Sequence, residues 1–140
     1  MQTIKMKVTG SQQVVGQEPM VTELTTEGLF YTENNAYYFQ YDESPLSAMT
    51  GSTTQLISNG HERLVLKRKG PQSSTILEFE AGQSFTGSYD TAYGSFIISV
   101  KTLQVASDFD QNGRGRISLK YLMSLGKEEE SINQLEILIF

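Results

Sequence analysis

The run Gln83 to Val105, QSFTGSYDTAYGSFIISVKTLQV, limits what this chain can fold into more than any other stretch. Phe96, Ile98 and Val100 alternate with Ile97, Ser99 and Lys101, and β-branched residues are dense, which is the pattern of a half-buried pleated strand. The apolar phase then slips, because Leu103 and Val105 have the opposite parity to Phe96, Ile98 and Val100. One inserted residue flips every later side chain to the other face. A slip inside one long strand therefore predicts a bulge or a barrel corner.

The same two-residue period recurs almost end to end, and nothing reads as a helix of ordinary length. Ile4, Met6 and Val8 share a face against Thr3, Lys5, Lys7 and Thr9. Val14 and Val15 precede Gly16, and Pro19 interrupts the ladder because it lacks a donor. Leu24 and Phe30 share parity with Thr22, Thr26 and Gly28, which puts Glu23 and Glu27 outward if Leu24 faces the core. Asn34-Asn35 predicts a turn into the aromatic run Ala36 to Tyr41, since asparagine tolerates positive φ. Asp42 to Leu46, with Pro45, reads as a loop, and Thr50 to Ser58 as a weaker strand. Asn59-Gly60 predicts a type I′ hairpin turn, with a strand from His61 to Lys69 ended by Gly70-Pro71. Leu77 and Phe79 lie opposite Ile76, Glu78 and Glu80 in the next strand. Beyond the organising stretch comes a turn at Asn112-Gly113, then a stripe of Ile117, Leu119, Tyr121, Met123 and Leu125, and a last strand from Asn133 to Phe140. About ten short strands without a crossover helix imply an all-β antiparallel meander. Closing into a single barrel removes its edges, and a two-sheet sandwich is the alternative.

Length and charge bound the function. At 140 residues, positions 1–140 form one domain. With no cysteine there is no disulfide, thiolate metal site or cysteine nucleophile. A net charge of -5 argues against a nucleic-acid partner, whose binding rests largely on phosphate neutralisation. The N-terminus has no long apolar core, and no run approaches the ~20 apolar residues a membrane helix needs. The expectation is a cytoplasmic protein with no membrane partner.

Several of these features together resemble a known family, the uncharacterised bacterial YwiB-like proteins, placed among the calycin-like, or lipocalin-like, β-barrels. They are Arg68-x-Gly70 at a strand end, Leu77 and Phe79, Tyr89-x-Thr91-x-Tyr93-Gly94 with its long strand, Phe39-x-Tyr41, Ile117 to Tyr121, and Leu135-x-Ile137. The resemblance covers essentially the whole length and implies a cytoplasmic closed barrel. It brings no activity with it.

Candidate sites are few. Asp108-Phe-Asp-Gln-Asn-Gly113 matches the opening of a calcium-binding EF-hand loop. Its twelfth position is Leu119 instead of glutamate, and its flanks are strands, so no metal site is expected. His61 is the only histidine, and no Gly-x-Ser-x-Gly elbow accompanies it. No nucleophile, base and orienting group can be assembled, and the chain is read as a non-enzyme without a cofactor.

Arg68 shares parity with Leu64 and Leu66. If those leucines face the interior, its guanidinium points inward and needs a carboxylate, carbonyls or an anionic ligand. The favoured placement is the solvated rim beside Lys67, Lys69 and Gly70, since arginine snorkels. Tyr41, Tyr89, Thr91 and Tyr93 are the remaining ligand candidates; the last three either line a mouth with hydroxyls or close a turn by packing, the latter favoured. The leading functional expectation is a binder of a small, anionic molecule in or at the mouth of the barrel. Its competitor is a protein-interaction or homodimer module, suggested by Leu135, Ile137 and Ile139 on one face of the last strand against Leu138 and Phe140 on the other.

Overall fold

Strands of period two, joined by short polar turns, each find their partner in the next strand along the chain. The computed structural model describes residues 1–42, 51–60, 63–71, 73–126 and 130–140, and none of these is helical. Ten strands lie among them: β1 (Gln2–Val14), β2 (Met20–Glu33), β3 (Ala36–Asp42), β4 (Thr53–Gly60), β5 (Arg63–Lys69), β6 (Ser73–Glu80), β7 (Ser84–Thr91), β8 (Gly94–Phe109), β9 (Gly115–Leu125) and β10 (Ser131–Ile139). Each pairs antiparallel with its sequence neighbour. β10 then returns to β1, with Met6 opposite Ile139 at one end of the ladder and Val14 opposite Ser131 at the other. The sheet is a closed barrel, so the sandwich alternative falls.

Closure leaves each strand one inward and one outward face, and the alternation read from the sequence decides which is which. Ile4, Met6, Val8, Leu24, Phe30, Leu64, Leu66, Leu77, Phe79, Ile117, Leu119, Ile137 and Ile139 are buried in one core. Opposite charges meet on the outer wall, where Lys7 faces Glu23, Arg63 faces Glu78 and Arg116 faces Glu136. These pairs are solvated, and such contacts add little to stability.

The meander turns at alternate ends. The end carrying the β2–β3 and β8–β9 turns is plugged by aromatic rings. Phe30 packs on Phe39 at 5.1 Å, and Phe109 meets Phe39 and Tyr37 edge-on at 5.2 and 4.9 Å. Asn34 and Asn35 both take the positive φ their turn requires. Gly113 does so too, and its Cα passes so close to Phe30 that a Cβ would lie 2.6 Å from the ring.

Two expectations are displaced by one or two residues. The phase slip in β8 is a bulge, but Leu103 is the extra residue. Pairing with β9 jumps from Thr102 to Gln104, so Leu103 points outward and the inward set is Ile98, Val100, Thr102, Val105 and Ser107. The Asn59-Gly60 turn is also displaced. β4 runs on through Gly60, which pairs with Arg63 after an irregularity following Ser58, and Asn59 does not take a positive φ. His61 lies outside the described residues.

Gly113→Ala should lower stability by about 2–3 kcal/mol, since a packed ring cannot retreat and the backbone is left-handed. Gly16→Ala has the same backbone sign with open space around it, and should lose only about 1 kcal/mol. Denaturant midpoints of the two variants give the comparison. Equal losses would mean that Phe30 yields freely.

Candidate functional site

The barrel interior changes character along its axis. Near the aromatic plug and through the middle it is apolar: Met6, Phe39, Leu56, Leu64, Phe79, Ile117 and Ile137 have essentially no surface open to a water-sized sphere. Their burial marks this half as the packed core of the barrel. Toward the opposite end the inward positions turn polar. There the cross-strand ladders place Gly28, Tyr41, Thr54, Arg68, Thr75, Tyr89 and Phe96 in one continuous row over seven strands, each opposite the next.

Arg68 lies on the inward face of β5, one residue from the strand end, so it stands at the rim with its face toward the interior. Its parity with Leu64 and Leu66 decides the direction, because closure leaves only the interior for that face. The residue is half-buried. Its Nε donates to Thr54 Oγ1 at 3.2 Å, and Thr54 is itself fully buried. That bond fixes the plane of the guanidinium within the barrel.

Across the lumen, Tyr121 projects from β9 and lays its ring 4.7 Å from that of Phe79 on β6. Burial raises the Tyr121 phenol above the ordinary tyrosine value, and the positive charge of Arg68 partly offsets the rise. Tyr121, Met123, Leu125 and Tyr89 all face inward yet remain half-buried, unlike the buried half below them. The remaining wall is satisfied locally. Ser131 Oγ accepts from Gln12 Nε2 at 3.3 Å and from Asn133 Nδ2 at 3.0 Å, and donates to the Met123 carbonyl at 3.3 Å.

Of the five residues singled out by sequence, three share this row. Arg68, Tyr41 and Tyr89 line the same end of the interior, with Tyr41 buried and Tyr89 packed against the core. Thr91 and Tyr93 do not join them. The Thr91 hydroxyl donates to the Gly94 carbonyl at 2.9 Å and accepts from the Tyr93 amide at 3.1 Å, closing the β7–β8 turn. Tyr93 is 95% exposed, so its ring neither lines the mouth nor packs. Thr54 and Tyr121 were missed. Thr54 stands out only once the β4–β5 register is known, and Tyr121 was absorbed into an apolar stripe.

The Asp110 carboxylate is spent on its own turn, accepting the Asn112 amide at 2.8 Å and the Arg114 amide at 3.1 Å through one oxygen. A cleft of about 250 Å³ on the outer wall, over Thr9, Ser11, Gln104, Ser118 and Lys120, gathers none of the five predicted residues.

The sequence of residues 6–137 matches the domain of unknown function DUF1934. The chain belongs to the DUF1934 family. A curated relative is the uncharacterized β-barrel protein YwiB of Bacillus subtilis (strain 168), 29% identical over 118 residues, which cover 84% of this chain and 79% of that one. The crystal structure of ywiB protein from Bacillus subtilis superposes with a TM-score of 0.74 at 17% identity, over 97% of this chain and 90% of that chain. DUF1934 membership thus agrees with the YwiB-like resemblance, and the superposition establishes a shared barrel fold.

Arg68→Met should raise the Tyr121 phenol further, because the offsetting charge is lost. Ultraviolet phenolate titration measures this directly. A group whose folded value lies above its unfolded value lends stability below the unfolded value, here about 10, and that stability is lost as pH rises past it. Tyr121→Phe should therefore flatten the alkaline fall in melting temperature. Titration of Tyr121 at the ordinary tyrosine value in both proteins would contradict the effect of burial on this phenol.

Proposed function

We propose that this protein is a non-catalytic binder of a small anionic molecule, taken at the polar end of the barrel interior with Arg68 as its anchor. One observation carries the reading: a guanidinium directed into a closed barrel and oriented by a fully buried threonine. A guanidinium takes a carboxylate or similar oxyanion through two parallel charge-assisted hydrogen bonds, and the half-buried Arg68 presents one at the end of its strand. The half-buried inward surfaces of Tyr89 and Tyr121 supply walls whose rings are apolar and whose hydroxyls are polar. The lipocalin-like kinship implied by the sequence resemblance supports the same reading, by analogy of fold alone.

The assembly reading has weaker support. On the outer face of β10, Leu138 stands in its ladders between Lys7 and Arg116, so charged side chains flank it. Phe140 is exposed beyond the strand end.

Native mass spectrometry and calorimetric titration with short carboxylates test the binder reading. Arg68→Lys keeps the charge but loses the fork, and should weaken binding by about tenfold or more. Arg68→Met removes the charge and the fork together and should abolish binding. If no anion binds the wild type, or if binding survives Arg68→Met, the reading is wrong.

A further inference from the structure

The outer wall holds a cleft that the anion site does not use. It measures about 250 Å³, crosses β1, β10, β9 and β8, and shares no residue with the row that holds Arg68. Two outward rows form it. Ser11, Gln134, Lys120 and Gln104 stand opposite one another in successive ladders, and Thr9, Glu136 and Ser118 make the next row. Thr9, Ser11, Ser118 and Lys120 are half-buried, whereas Gln104, Gln134 and Glu136 are exposed. Three short hydroxyl side chains thus lie low between longer ones. The β8 bulge decides one wall. An unbroken ladder from the Thr102–Tyr121 pair would bring Leu103 opposite Lys120, but the bulge brings Gln104 there, and Leu103 is not part of the lining. Bulges are over-represented next to functional sites, where they re-aim a side chain.

The side chains of Thr9, Ser11, Ser118, Lys120 and the two glutamines make no hydrogen bond or ion pair among the described residues. Glu136 is held by Arg116 Nε at 3.0 Å, so Lys120 leaves the cleft with one uncompensated positive charge. We infer that this cleft binds a polyol of monosaccharide size that carries one anionic group. Its hydroxyls are met by Thr9, Ser11, Ser118 and the glutamine amides, which together donate and accept as a ring of hydroxyls requires. Its anionic group is met by Lys120, a point charge on a flexible stem that suits carboxylate or phosphate. The lining has no aromatic residue, and Leu119 and Leu135 pack on the core, so a nucleobase or an alkyl chain finds no matching surface. Drug-sized ligands occupy about 300–1,000 Å³, so a cleft of about 250 Å³ limits the occupant to a single ring.

Amide chemical-shift mapping of the full chain with glucose 6-phosphate, glucuronate, glucose and inorganic phosphate tests the site. Glucose 6-phosphate or glucuronate should saturably shift the amides of 9–11, 104, 118–120 and 134–136, and bind about tenfold or more tighter than glucose or phosphate alone. Tighter binding of one of the two names the anionic group. Lys120→Gln should remove the advantage over glucose. Ser118→Leu, which fills the cleft from an outward position, should abolish binding of every probe while melting close to wild type, and Thr9→Leu should do the same from β1. Arg68→Met should leave all of this unchanged, which separates the cleft from the anion site. Phosphate binding as tightly as glucose 6-phosphate would reduce the cleft to an adventitious ion only and overturn the inference. Shifts that gather around Arg68 and vanish in Arg68→Met would overturn it too, as would the absence of any saturable shift.

Discussion

Closure of β10 onto β1 is the constraint on which everything else in this molecule depends. An open meander could leave either face of a strand in water. A closed one gives each strand a single interior, and the period of two then commits every residue to one side. That is why Arg68 cannot escape to the outer wall with Lys67 and Lys69, although it lies among them in sequence. The ladders also set Tyr41, Thr54, Arg68, Thr75 and Tyr89 in one row of neighbours across five strands.

The interior that closure creates is divided between two tasks. The half near the aromatic plug is buried and supplies the apolar burial that holds the barrel together. The other half carries polar groups that add little to stability and cost free energy wherever they lack partners. A guanidinium bonded to a buried threonine and the half-buried ring of Tyr89 stand at that end. A protein selected for stability alone would fill such a space with leucine, as the other half does.

Most of the architecture was legible because it is written in short-range alternation. Ile4, Met6 and Val8, and likewise the stripe from Ile117, announce their face within a few residues. The slip after Val100 announced a bulge, although parity alone could not say that Leu103 was the inserted residue. The Asn59-Gly60 turn was misplaced because a strand irregularity let β4 absorb both residues. The site was only half legible for a different reason. Whether Arg68 turned inward, and whether Thr54 and Tyr121 stood near it, depends on register between strands far apart in sequence, which no local pattern encodes. Tyr93 misled because a tyrosine-rich turn looks alike whether its rings pack or, as here, one stands in water.

The central claim is that a buried apolar half and an accessible polar half coexist in one barrel, with Arg68 in the second. Nuclear magnetic resonance of the arginine Nε–H groups and the leucine methyls during an acetate titration tests it most directly. The account predicts that the Arg68 Nε–H resonance is protected by its bond to Thr54 and shifts saturably with acetate, while the Leu56 and Leu64 methyls stay fixed. An Arg68 signal that exchanges as freely as those of surface arginines and ignores acetate would contradict it.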